Sequence, residues 1–411
     1  MLFKKVTECR ICDNKNLIKI LDLWEQALTG VFPQKGEEVG VGPLELIKCH
    51  WNEGCWLVQL WHNYDLNLLY WDNYWYRSWL NKSMVKHLEE VVNKIKQMIS
   101  IEKWDLIIDI ASNDWVLLNA YWDHWFDLLW IDPTAEKFSK YYPSFVKYIA
   151  DFFSWDIVKK YSDKKAKVIT SICMFYDLER PMEFMKQIEE SLDDDGIWLS
   201  EQSYMPTMVE KTSYDTVCHE HLEYYWLTPI KWMADRVWLK IIGLEFNDLN
   251  WWSFQTILAK KWSKKFDEYD VSKILQAEED NGYNGLDVFE TFKNNVITNR
   301  KDVLSFFEKA KKDNKLVIWY WASTKGNVVL QYCWITADMM PYIMDVNDYK
   351  FGRFTPWTNI PIISETEWHA MMPDYLMVLP WHFKKWILEN EKKFLERWWH
   401  IVFYLPKLEI V

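Results

Sequence analysis

Leu106-Ile107-Ile108-Asp109-Ile110 runs straight into Ala111-Ser112-Asn113-Asp114-Trp115, and Asp127-Leu128-Leu129-Trp130-Ile131 runs into Asp132-Pro133. Each is a short apolar run with an acid at or just beyond its end, the pattern of a strand buried on both faces. A strand, a loop of small residues and then a helix lets backbone approach a nucleoside cofactor closely. An acid closing the next strand, about 20 residues on, can accept from ribose hydroxyls. Asp151-Phe152-Phe153 closes a third expected strand and offers an adenine both a polar partner and a ring. The GxGxxG pattern is absent, so the ordered acids favour S-adenosylmethionine over NAD.

The alternation continues outward. Apolar residues recur at helical spacing from Leu80 to Ile101, through Met84, Leu88, Val91, Val92 and Ile95. Lys167 to Ser171 reads as a strand, Met182 to Leu192 as a helix, and Ile197 to Gln202 as the next strand after the turn Asp193–Gly196. Such order predicts an α/β fold, a parallel sheet covered by helices on both faces. Leu239–Phe246 and Ser253–Ala259 are close enough to form a hairpin at the sheet edge. The charged run Lys260 to Lys265 marks a boundary, followed by a polar helical region to about Asn314. A second α/β unit opens at Lys315, with a strand over Asp374–Leu379 and a helix over Phe383–Arg397. The expected division is residues 1–78, 79–262 and 263–411.

The first of these units holds four of the seven cysteines. Cys9-x-x-Cys12 has the spacing with which one turn delivers two zinc ligands, and Cys49 and Cys55 supply a looser second pair. His50 is an alternative to Cys49. Four cysteine ligands leave no open position, so the zinc is expected to be structural. The chain of 411 residues carries 48 Lys+Arg against 60 Asp+Glu, a formal charge of −12. That balance argues against nucleic acid as a partner, whose binding rests on neutralising phosphates, and against an anionic membrane surface. No run of 18 apolar residues is present and the N-terminus lacks a secretory pattern, so a cytoplasmic protein is expected.

A third cluster is Tyr214-Asp-Thr-Val-Cys-His219-Glu220-His221. A glutamate beside imidazoles can orient a general base, and the same residues could hold a second metal. In an extended segment His219 and His221 would share a face and Glu220 would point away.

These residues together resemble the sugar C-methyltransferases that act on nucleotide-linked 4-keto-6-deoxy sugars. The resemblance spans the chain: Cys9 to Cys12, Leu21-Asp-Leu23, Cys55 to Leu60, Tyr74 to Ser78, Ser112 to Asp114, Glu201 to Tyr204, Tyr214 to Tyr225, Ala322 to Asn327 and Thr358 to Pro361. It implies a three-module protein: a zinc-binding domain, a class I methyltransferase domain with a seven-strand sheet, and a C-terminal Rossmann-like α/β domain. By that resemblance His221 is the base at the sugar carbon, with Glu220 beside it, Tyr76 reaching in from the zinc module and His219 adjacent. Tyr204 and Tyr214 are expected to contact the substrate, and Lys325 and Asn327 to hold its diphosphate. The reaction implied is methyl transfer to C3, through an enolate beside the ketone, in deoxysugar biosynthesis. Cys218 and Met174 stand where some members carry Tyr and His, which bears on the substrate more than on methyl transfer. O-methylation of a small molecule and a non-catalytic sugar-nucleotide-binding protein are the rival readings. Neither the sugar nor the oligomeric state is legible.

Glycine numbers only 11 and tryptophan 29. Asn250-Trp251-Trp252-Ser253, Pro356-Trp357-Thr358 and Trp319-Tyr320-Trp321-Ala322-Ser323 look like turns, where glycine is expected. Where the family has glycine this chain has Trp24, Trp56, Trp115, Trp130, Trp251, Trp252, Trp319, Trp321 and Trp357. One reading is that UGA codons meaning glycine are written as tryptophan; the other is a Trp-rich, inactive relative. Trp115 is expected to face the methionine end of the cofactor.

Overall fold

The computed structural model describes residues 2–411 other than 52–53, 66–68, 70–77, 122–124, 143, 248–251, 380, 382–383 and 397–399. Its central sheet has seven strands. Their spatial order is Leu239–Asn247, Ser253–Lys260, Leu192–Ser203, Ala166–Ile172, Leu106–Ile110, Asp127–Ile131, Lys147–Ile149. The last five are mutually parallel. Ser253–Lys260 pairs antiparallel on both sides, so the expected hairpin does close one edge. All five residues of Leu106–Ile110 are buried, as a strand covered on both faces requires. Helix Lys82–Met98 covers one face. Asn81 caps it by accepting from the Ser83 and Met84 N–H groups, and it buries Met84, Leu88, Val91, Val92 and Ile95 along one stripe.

Chain order reverses at Leu106–Ile110, which lies between Asp127–Ile131 and Ala166–Ile172. Ligands of open α/β sheets bind in the crevice beyond such a strand's carboxyl end. Here that end is Asp109–Asp114.

The N-terminal module is a four-stranded antiparallel sheet, and one of its strands comes from far along the chain. Leu17–Ala27, Val41–Cys49 and Val58–Leu60 pair in order, and Glu223–Tyr224 adds the outer strand through Gln59 and Val58. The C-terminal sheet has six strands, in the order Ile362–Ser364, Ile343–Asp345, Val317–Tyr320, Tyr375–Val378, His400–Phe403, Glu409–Ile410. All are parallel save the last. Helix Asp287–Lys312 packs Phe289, Phe292, Val303, Phe306 and Phe307 inward. The expected helix over Phe383–Arg397 is two short ones, Lys384–Asn390 and Lys392–Leu395. Among the described residues no helix is long and apolar enough to cross a membrane.

Candidate active site

Cys9, Cys12, Cys49 and Cys55 bring their sulfurs within 4.8 Å of one another. Cys9 and Cys55 are 3.4 Å apart, Cys12 and Cys49 3.5 Å, with no disulfide among them. Four convergent sulfurs fit a tetrahedral zinc, and Cys49 rather than His50 is the fourth. Burial pushes the Cys9 and Cys55 thiols up, so holding them as thiolates needs a cation in their midst.

The module's zinc end is tied to the segment before Tyr224. The Arg10 guanidinium, almost wholly buried, lies 3.6 Å from the Glu223 carboxylate. It also donates to the Gln59 side chain at 3.0 Å and the Leu60 carbonyl at 2.6 Å. The preceding residues do not extend. The His221 N–H donates back to the Cys218 carbonyl at 3.2 Å, making His219-Glu220 a turn. The two histidines therefore face different surroundings, contrary to the shared face of an extended segment.

His219 is fully buried. Its Nδ1 accepts from the Thr29 N–H at 3.3 Å, and the Tyr64 ring meets it edge-on at 4.6 Å. It does not line the cavity described next, and its contacts tie the turn to the residues around Thr29 and Tyr64. His221 is half-buried and lines a cavity with Tyr176, Ser203, Thr216, Tyr224 and Trp252. Its Nδ1 sits 3.0 Å from the Thr216 carbonyl, which can only accept. Nδ1 therefore carries the proton and Nε2 the lone pair. The Tyr176 ring lies 4.5 Å away and fixes the imidazole plane from one side.

Charge around this histidine is arranged in depth. Burial, then the Lys325 ammonium, pushes His221 down to about 3. Burial also lowers Lys325 to about 8, against the attraction of Asp215. Asp215 accepts from Tyr404 Oη at 2.7 Å, Ser213 Oγ at 2.8 Å and Trp381 Nε1 at 3.3 Å, while burial raises its carboxyl. A base works when neutral, so rate falls as pH drops through its pKa. Removing the neighbouring cation raises that pKa. Lys325→Met is expected to move the acid limb of the kcat/KM profile to higher pH. A limb that stays put would mean that His221 titration under the Lys325 charge does not set the profile.

Glu220 meets the loop after strand Leu17–Ala27. Its Oε2 lies 3.5 Å from Thr29 Oγ1. A Cβ on Gly30 would stand 1.9 Å from Glu220 Oε1 and 3.6 Å from Thr324 Oγ1. Gly30→Ala must therefore displace the Glu220 carboxylate. We expect a ten- to hundredfold loss in kcat with zinc content unchanged, measured by steady-state kinetics alongside metal analysis.

Other expected substrate residues are engaged elsewhere. Tyr204 donates to Glu278 Oε1 at 2.7 Å, and Tyr214, fully buried, donates to Asn299 Oδ1 at 3.1 Å. Asn327 donates to the Thr29 carbonyl at 2.8 Å and Gln331 brackets Ala27 from the same helix. These bonds link distant parts of the chain, and none of the three residues is among those lining the cavity. Tyr76 lies outside the described residues. Tyr176, Thr216 and Asp215 were not assigned roles from sequence; their only local signal is their place just after a strand or just before the His-Glu-His run.

In the expected cofactor crevice, Ala111 and Asn113 adopt left-handed φ of 54° and 59°, turning the loop sharply after the strand. The Asn113 N–H donates to Asp132 Oδ2 at 3.1 Å, and Thr134 donates twice to Asp132 Oδ1. Three donors leave this carboxylate about one acceptor position for a hydroxyl. Asp109 is buried and receives Thr170 Oγ1 at 2.5 Å, and burial pushes it up to about 7. Asp114 accepts from the Trp79 N–H at 3.0 Å and Ser112 from Tyr142 Oη at 3.1 Å. Pro133 follows Asp132 at the strand end. The third strand stops at Ile149, so Asp151 lies beyond it, exposed. Phe152 is exposed, and Phe153 packs on Phe184 at 5.3 Å. Trp115 opens the helix Val116–Asn119. The turned loop and ordered acids fit S-adenosylmethionine.

The strand order, the antiparallel insertion and this crevice define a class I methyltransferase. Residues 9–70 match the family model "Putative zinc binding domain", and residues 252–406 match "C-methyltransferase C-terminal domain". The C-methyltransferase NovU of Streptomyces niveus is 21% identical over 415 residues, covering 100% of this chain and 98% of its own. The chain belongs to the S-adenosylmethionine-dependent C-methyltransferases that carry an N-terminal zinc-binding domain. Among solved structures, an S-adenosylmethionine-dependent methyltransferase from Clostridium acetobutylicum overlays with a TM-score of 0.33 at 11% identity, covering 43% of this chain and 92% of that one. The CcbJ methyltransferase of Streptomyces caelestis overlays with a TM-score of 0.32 at 9% identity, covering 42% and 89%.

Proposed function

We propose that this enzyme methylates C3 of a nucleoside-diphosphate-linked 4-keto-6-deoxy sugar, with His221 as the base. The observation that carries the reading is the His221 tautomer: a neutral imidazole, its proton fixed on Nδ1 by Thr216, lining a cavity beside the methyltransferase sheet. The similarity to a C-methyltransferase across both chains supports carbon as the acceptor.

A carbon beside a ketone is acidic enough for a positioned base to take its proton. His221 Nε2 would take the C3 proton, and the enolate carbon would take the methyl group as its bond to the cofactor sulfur breaks, the sulfonium leaving as a neutral thioether. S-adenosylmethionine supplies that methyl on a sulfonium, held by Asp109 to Asp114 and by Asp132. General-base help is worth about 10²–10⁴-fold, and alignment of two bound substrates about 7–11 kcal/mol. Lys325 supplies a cation to the sugar diphosphate. Burial depresses His221 first and the Lys325 charge second, and a diphosphate there would offset the second of these. On the division 1–78, 79–262 and 263–411, every residue that lines this cavity falls in the second unit.

The test uses dTDP-4-keto-6-deoxyglucose in deuterium oxide without S-adenosylmethionine. Deuterium should enter C3, and adding the cofactor should yield a C-methylated sugar. Methyl transfer to the 4-hydroxy counterpart, with no exchange at C3, would establish O-methylation instead. Nucleotide binding without either reaction would make the protein a non-catalytic relative.

A further inference from the structure

Sixteen non-glycine residues among those described have φ in the left-handed region, and eight are tryptophan. They are Trp24, Trp56, Trp104, Trp238, Trp252, Trp321, Trp334 and Trp357, with φ between 55° and 72°. Tryptophan is 29 of 411 residues, far too few to supply half of such positions by chance. Outside glycine the region is visited chiefly by Asn and Asp, and a bulky side chain there is an outlier. Strain at eight sites would together rival the stability of a whole domain.

Each site where the motif is plain demands glycine. Helix Thr324–Cys333 ends with the Trp334 N–H on the Gln331 carbonyl at 3.1 Å and the Ile335 N–H on the Leu330 carbonyl at 2.8 Å. That pair is a Schellman ending, and Trp334 holds its glycine position. Trp238 stands just past helix Leu227–Arg236. Trp24 sits where the pairing of strand Leu17–Ala27 shifts between Asp22 and Glu25, a bulge. Trp357 follows Pro356 in a turn whose third residue needs positive φ. Five of the eight, Trp24, Trp104, Trp238, Trp334 and Trp357, are more than 40% exposed, so their indoles gain little burial in return. The Trp321 indole N–H is buried with no acceptor among the described residues, although buried indoles usually find one.

We infer that these eight residues are glycine in the protein as its own organism makes it, the codon UGA being read there as glycine. A single reassigned codon explains why Gly36, Gly282 and Gly352, also left-handed, are written correctly. The backbone thus supports five of the nine family-glycine positions and adds Trp104, Trp238 and Trp334. Trp115, Trp130 and Trp319 are not left-handed, and Trp251 lies outside the described residues. One consequence is local to the active site. Trp252 walls the His221 cavity and packs on Trp381 at 5.4 Å. With glycine there, the cavity opens by the volume of an indole and admits a larger ligand.

The inference is tested on protein isolated from its native host, by mass spectrometry of tryptic peptides. Residues 20–35, 237–240 and 326–350 each contain one tryptophan of the set: Trp24, Trp238 and Trp334. All three are expected to weigh as glycine peptides, and their codons to be UGA. A tryptophan mass in any one of them, or a UGG codon, overturns the inference. Neither readout depends on catalytic activity, so its failure is distinct from failure of the proposed reaction.

Discussion

His221→Ala is expected to lower turnover by two to four orders of magnitude while the affinity for S-adenosylmethionine changes little. The magnitude follows from general-base catalysis. The separation follows from geometry, because His221 lines the cavity beside Tyr176 and Thr216, while the cofactor loop hangs from the end of Leu106–Ile110. Turnover is read by product formation, and affinity by calorimetric titration of the cofactor. His221→Asn refines the result, since an amide can keep the bond to the Thr216 carbonyl without supplying a base. If the Asn variant restores the rate, His221 acts by position rather than by proton transfer. His219→Asn makes the control. It should weaken the packing against Thr29 and Tyr64, and so lower thermal stability more than the chemical step.

Much of the central sheet was written locally. Leu106–Ile110 and Asp127–Ile131 were legible to the residue, because a strand buried on both faces is apolar throughout and its ends are polar. The edge hairpin was legible from two apolar runs with a short connection, and Cys9 and Cys12 because their spacing reflects one turn. What failed was nonlocal. The His219-Glu220 turn is imposed by Glu223–Tyr224 pairing with Val58 and Gln59, more than 150 residues earlier. Nothing near residue 219 announces that pairing. Lys325 reads locally as a helix start and sits in the fold beside Asp215 and His221. Tyr204, Tyr214 and Asn327 carry the right chemistry for a ligand, yet their partners Glu278, Asn299 and Thr29 occupy them. Composition signalled the displaced glycines, but only backbone angles show which turns require them.

Removing zinc is expected to abolish methyl transfer without touching the cofactor crevice directly. A structural zinc contributes about 10–16 kcal/mol in small zinc domains at neutral pH, comparable with the roughly 5–15 kcal/mol that holds a whole domain folded. Without it the four thiols no longer fix Cys9 and Cys12 against Cys49 and Cys55. Arg10, next to Cys9, then loses its hold on Glu223, and breaking such a buried pair costs about 3–5 kcal/mol. Strand Glu223–Tyr224 carries the chain from the His219-Glu220-His221 turn into that sheet, so the turn loses its support on one side. Thr29 and Gly30 are lost from Glu220 and His219 on the other. Chelation, or Cys9→Ser, should therefore reduce kcat by at least a hundredfold, with zinc release and activity loss running in parallel. Cofactor binding, measured by titration, should survive within about tenfold, because among the described residues the seven-strand sheet takes no strand from the zinc module. Full activity in protein stripped of zinc would show that the His219-Glu220-His221 turn holds its shape alone. Equal loss of cofactor binding and turnover would instead mean that the modules unfold as one unit.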